Sequence, residues 1–165
     1  MAILTKLDLK VADEVWIIAA LLHRENPSSV DFSIDQIMGR ARTERVAGKL
    51  RPGFYVHVIQ HCVANRPPNP GRYRILFETA KDRRRLFRKG DTYHHDREGS
   101  KTVPEKENIP TQYRDLVDWY LGVFCVSRGN ADGFDPLLTL RGSGRGIWAD
   151  EHADEYVRRL REEWS

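Results

Sequence analysis

Cysteine is scarce: Cys62 and Cys125 stand alone among 165 residues, with no CxxC spacing and no histidine placed to share a metal with them. This excludes a disulfide framework and a cysteine-based zinc site, and it suits a reducing compartment. Long apolar runs are absent too. The opening MAILTKLDLKVADE is broken by charge every second or third position, which leaves no signal-like apolar region, and no stretch approaches a membrane span. These absences predict a cytoplasmic protein with no membrane partner. Internal repeats and low-complexity tracts are also missing.

What is present is sufficient for a folded domain. Hydrophobic residues make up 40% of the chain and charged residues 31%, enough for a core and a solvated surface without wholesale disorder. The net charge is only +3, but it is unevenly spread. Residues 51–97 hold eleven Lys or Arg against four Asp or Glu, residues 1–50 balance, and residues 98–165 are net acidic. A basic middle of this kind is expected of a polyanion-binding surface.

Periodicity predicts a helix over VADEVWIIAALLHREN, with Val11, Val15, Ile18 and Leu22 at helical spacing and Asp13 and Glu14 complementing its dipole. Val30–Phe32 is a short extended segment. Ser33 and Gln36 then form a capping-box start for a second helix with Ile34, Ile37 and Met38 inward. FYVHVIQHCVAN predicts a third helix, closed by Pro67, Pro68, Pro70 and Gly71, although FYVHV alone reads equally as a strand. RYRILFE alternates as a strand, Ala80–Arg83 supplies a turn, and RRLFRKGD returns as a second strand. Tyr113, Leu116, Val117, Tyr120, Leu121 and Phe124 predict a further packing helix.

This order resembles a winged helix-turn-helix domain: α+β, mainly helical, three helices plus a β-hairpin wing, followed by an additional packing helix and a C-terminal helical tail. The phrase from Phe87 to Tyr120 resembles one that recurs in prokaryotic proteins with a winged-helix start. The expected domains are residues 1–126, a linker at 127–136 and a tail at 137–165. The resemblance implies that the third helix enters the major groove of double-stranded DNA. On that helix His57, Gln60, His61 and Asn65 would face the bases. Arg51 and Arg66 at its ends would meet phosphates, as would Lys81, Arg83 and Arg84 on the wing, reinforced by Arg72 and Arg74.

The tail, LLTLRGSGRGIWADEHADEYVRRLREEWS, resembles the toxin-binding segment of VapB-type antitoxins, the partners of PIN-domain ribonuclease toxins. It implies a toxin-antitoxin role with transcription regulation, and a toxin-like partner held by Ile147, Trp148, Tyr156, Val157, Leu160 and Trp164. Packing of the tail on its own core, homodimerisation, and a protein-interaction module without nucleic-acid binding are the alternatives.

Catalysis and metal binding have weaker signals. Glu78, Asp82, Asp91, His94, His95 and Asp96 are the nearest approach to a metal-dependent nuclease, but their spacing matches no known pattern, so a non-enzymatic protein without cofactor is expected. His57 and His61 lack a third ligand at a suitable spacing, and the adjacent His94 and His95 are expected to point apart in a solvated loop.

Overall fold

Apolar side chains cover so much of the first helix that it has to run through the middle of the protein. In the computed structural model, which describes residues 9–126, α1 (Val11–Glu25) is buried continuously from Ala12 to His23. These residues belong to the first of two units into which the chain divides, Met1–Val126 and Ser127–Ser165. The linker and tail, with Ile147, Trp148, Tyr156, Val157, Leu160 and Trp164, lie outside the described residues. No helix among the described residues is long and apolar enough to cross a membrane.

The architecture is α+β and mainly helical, with four helices and one small antiparallel sheet among the described residues. After α1 comes β1 (Phe32–Ser33), then α2 (Ile34–Glu44). The capping box forms as expected: Ser33 Oγ accepts from the Gln36 amide and Gln36 Oε1 accepts from the Ser33 amide. Gly39 lies within α2, which ends at Arg45 in the left-handed region (φ 52°). β2 (Leu76–Ala80) and β3 (Arg83–Leu86) form a hairpin whose tight turn places Asp82 at φ 58°. The sheet order is β1-β3-β2, with Phe32 opposite Arg84 and Leu76 opposite Leu86.

Two helices depart from expectation. The third was predicted to continue through Asn65. Instead α3 is one turn, Phe54–Val56, continued by a π-helical turn, His57–His61. Beyond it the backbone pairs with the sheet: Leu76 donates to Cys62 O, and Ala64 donates to Leu76 O. Residues 62–65 therefore run beside β2, because a sheet edge satisfies amides that a helix end leaves open. The last helix is likewise segmented. A 3₁₀ turn (Thr111–Tyr113) leads into α4 (Asp115–Trp119), and a π-helical turn follows (Tyr120–Phe124).

The core lies where α1 meets α2, α3, α4 and β3. Trp16 is fully buried and edge-on to Tyr120, ring centroids 5.6 Å apart. His23 sits between Phe32 and Phe124, and its Nε2 accepts from the Leu86 amide at 3.3 Å. Asp13 and Glu14 are buried as well, so their role is larger than complementing a dipole. Glu14 receives Arg51 at 2.6 Å, and Asp13 meets Lys101 at 2.7 Å as an ion pair off the hydrogen-bond axis. Both acids anchor distant loops to the central helix.

Candidate nucleic-acid interface

The basic middle of the chain folds largely onto itself. Arg84, expected on the outside of the wing, is buried at 1% exposure. Its place in β3 turns it inward, where it donates to Val58 O and Arg83 O and lies 3.4 Å from Glu78 Oε1. It is unavailable to phosphate, and the expectation for it is corrected. Burial pulls its pKa below the usual guanidinium value.

Glu78 is the centre of this arrangement. Arg66 grips its carboxylate with two hydrogen bonds, 2.5 and 2.8 Å long, and adds a third to Ile59 O at 3.1 Å. The bidentate geometry is the strongest form of such a pair. The bond from Arg66 leads in holding the Glu78 carboxyl below its ordinary range, against a burial effect that raises it. Asn65 grips the same residue by its backbone: its Nδ2 donates to Glu78 O and its Oδ1 accepts from Glu78 N, both at 2.9 Å. Its amide thus closes the edge of β2 in place of a strand and is not presented to a base.

The third-helix face is similarly engaged. Gln60 Nε2 donates to Pro67 O at 2.6 Å. His57 Nδ1 lies 3.0 Å from Gly53 O, and its ring meets that of His61 edge-on at 4.8 Å. Burial lowers the His57 pKa most, outweighing that bond, which raises it, and the charges of His61 and Arg51 add to the fall. His61 has a buried Nδ1 without a hydrogen-bond partner among the described residues, and it packs so close to Gly71 that a Cβ there would lie 2.7 Å from its own. Gly71 is required by this close approach.

Around the hairpin, Arg83 reaches back to Asp31 at 2.6 Å. Burial pushes the Asp31 carboxyl up, and hydrogen bonds from Arg83 and Thr79 more than reverse this and leave it lowered. Arg85 is bidentate to Asp91, at 2.6 and 2.7 Å, and lies over the Phe77 ring. Arg74 stacks over Tyr93 with its guanidinium carbon 4.4 Å from the ring centroid, and its Nε donates to Ser100 O. Of the eleven expected contact residues, only Arg72 and Lys81 are exposed cations with no ion pair among the described residues. Arg42, Arg45 and Lys49, which the sequence reading passed over, are exposed too and form no ion pair among the described residues.

Two of the carboxylates considered for a nuclease, Glu78 and Asp91, are arginine partners. The residue that sequence reasoning missed altogether is Arg97. It is fully buried and donates to five carbonyls: Arg66, His61, Tyr73, Gln60 and Pro67. Nothing in a lone arginine beside an acidic, glycine-containing loop signals this, because the acceptors come from backbone that folding brings together.

Comparison with protein-family models, curated proteins and solved structures returned no match.

Proposed function

We propose that residues 9–126 form a winged-helix module that binds another protein, with duplex DNA binding as the second reading. Support for the winged helix comes from the order helix, strand, helix, helix, strand, strand and the sheet order β1-β3-β2. A fold of this kind serves many functions, so the surface must carry the argument.

The observation that carries the protein-binding reading is that Gln60, Asn65, Arg66 and Arg84 are all bonded within the chain. Freeing Arg66 for a phosphate would leave Glu78 less compensated, an unfavourable exchange for a partly buried carboxylate. Apolar groups fill the exposed places instead. Tyr55 is 51% exposed on α3, and Leu121 and Val126 are 55% and 63% exposed at the end of the last helix. Leu121 also borders a cleft of about 430 Å³ walled by Phe87, Tyr93, Val103 and Tyr120. Apolar and aromatic surface of this kind is characteristic of protein-binding faces.

The reading is non-enzymatic. The resemblance of the tail to VapB-type antitoxins suggests a toxin-like partner and a transcription-regulating role for the whole chain. The DNA reading draws on Arg42, Arg45, Lys49, Arg72 and Lys81, whose charges are exposed, and on Arg83, exposed beside its partner Asp31.

The test compares the full chain with L121D/V126D and K81E/R83E variants. Cross-linking mass spectrometry in lysate is expected to give a reproducible partner that L121D/V126D loses and K81E/R83E keeps. Titration with mixed-sequence duplex is expected to show weak binding. Tight duplex binding would overturn the reading in favour of DNA if its logarithmic salt slope were roughly −0.9 per phosphate contact, K81E/R83E abolished it, and no partner were cross-linked.

A further inference from the structure

We propose that His94, His95 and Asp96 form a binding site for a divalent first-row transition ion of the zinc class. The two imidazoles do not point apart as adjacent residues in an extended loop would. His95 begins a 3₁₀ turn (His95–Arg97), and the rings stack with centroids 4.3 Å apart and planes 27° from parallel. The Asp96 carboxylate faces both: His95 Nε2 is 3.3 Å from Oδ1, and His94 Nδ1 is 3.6 Å from Oδ2.

Those separations suit a metal. Zinc bonds to imidazole nitrogen and carboxylate oxygen are ~2.0–2.2 Å long, so neighbouring donors in a tetrahedral shell lie ~3.3 Å apart. The His95–Asp96 edge already has this length. One donor atom from each of the three residues falls within 4.8 Å of the others. Closing the third vertex needs the stacked rings to turn toward a common point and His94 to offer Nε2 or release the Asp96 amide that its Nδ1 accepts at 3.3 Å. Two nitrogens and one oxygen favour zinc, copper or nickel over magnesium and calcium, which prefer all-oxygen shells.

The backbone beneath the turn is held firmly. The His94 amide donates to Ala64 O at 2.8 Å, and Arg97, one residue past the last donor, is clamped by its five carbonyls. Three donors are thus presented by a fixed backbone, and the remaining coordination position opens to solvent, free for water or a donor from another molecule. With three donors and the positive charge of Arg97 close by, affinity is expected to be lower than in a closed four-donor site. His57 and His61 also meet, but no third donor joins them among the described residues.

The experiment is calorimetric titration of the tag-free full chain with zinc chloride, with cobalt(II) absorption as a second readout of imidazole ligation. One equivalent is expected to bind, with affinity falling roughly tenfold or more in H95A/D96N and unchanged in H57A/H61A. His95 and Asp96 are exposed, so H95A/D96N keeps the packing beneath the turn, and circular dichroism checks that it and H57A/H61A are folded before titration. Absence of binding to the wild type, binding that H95A/D96N leaves unchanged, or binding lost only in H57A/H61A would overturn the proposal.

Discussion

Around α1 the protein is held by apolar packing, and between Gln60 and Lys101 it is held by arginines. On the helical side Trp16, Ile17, Ile18, Ile37 and Leu116 are fully buried against one another. On the other side Arg66, Arg84, Arg85 and Arg97 reach carboxylates and backbone carbonyls of β2, of the π-helical turn and of the loops beside them. The difference follows from backbone needs. A helix satisfies its own amides and carbonyls, so its neighbours need only be apolar. An irregular loop leaves carbonyls open, and a guanidinium with five fixed donors is the side chain best able to gather them. A run of arginines is therefore ambiguous in sequence, because the same residues serve as phosphate ligands outside or as struts inside.

The largest test of this contrast is Arg97→Met. Removing the guanidinium takes the donor from the carbonyls of Arg66, His61 and Tyr73, while Pro67 O keeps Gln60 Nε2 and Gln60 O keeps the Val63 amide, and a loss of about 3–5 kcal/mol is expected in chemical denaturation. A loss below 1 kcal/mol would mean that the loops stand without their strut. On the apolar side, Leu116→Ala should cost about 3 kcal/mol through transfer and cavity terms, with little dependence on salt or pH.

A Glu78→Gln substitution separates the two regions by pH. The folded pKa of Glu78 lies below the ordinary glutamate value of 4.5, mainly because Arg66 bonds its carboxylate. Its contribution is therefore fully present above the unfolded pKa and is lost as pH falls through the folded one. The wild type should lose this stability below about pH 4.5, and the variant, already weaker by about 1–2 kcal/mol at neutral pH, should show a flatter acid limb. Equal acid limbs in both proteins would remove Glu78 from the account. The smallest effect is expected at Ser33→Ala, where loss of the capping box should cost about 1 kcal/mol, measured as a shift in denaturation midpoint at unchanged slope.

Much of the helical side could be read directly from residue order. The α1 stripe, the Ser33–Gln36 cap and the break after Glu25 follow from periodicity and turn chemistry over a few neighbours, as does the existence of the hairpin, although its strands are Leu76–Ala80 and Arg83–Leu86 where the pattern predicts 72–78 and 84–91. The candidate interface was much less legible. Asn65 belongs by spacing to a helix face, yet it completes a sheet edge, and Arg84 is expected among the cations of the wing, yet its side chain fills the interior. Each outcome depends on a partner more than ten residues away, which local pattern does not encode.

The chain order alone determined the fold class, since hydrophobic spacing and caps act within a turn or two and favour the same local structure in nearly any context. Only the tertiary structure decided which charges remain at the surface. Asp13, Glu14 and Glu78 meet a lysine and arginines from distant parts of the chain, Asp91 meets Arg85 six residues away, and with the carbonyls around Arg84 and Arg97 these partners turn much of the basic stretch away from solvent.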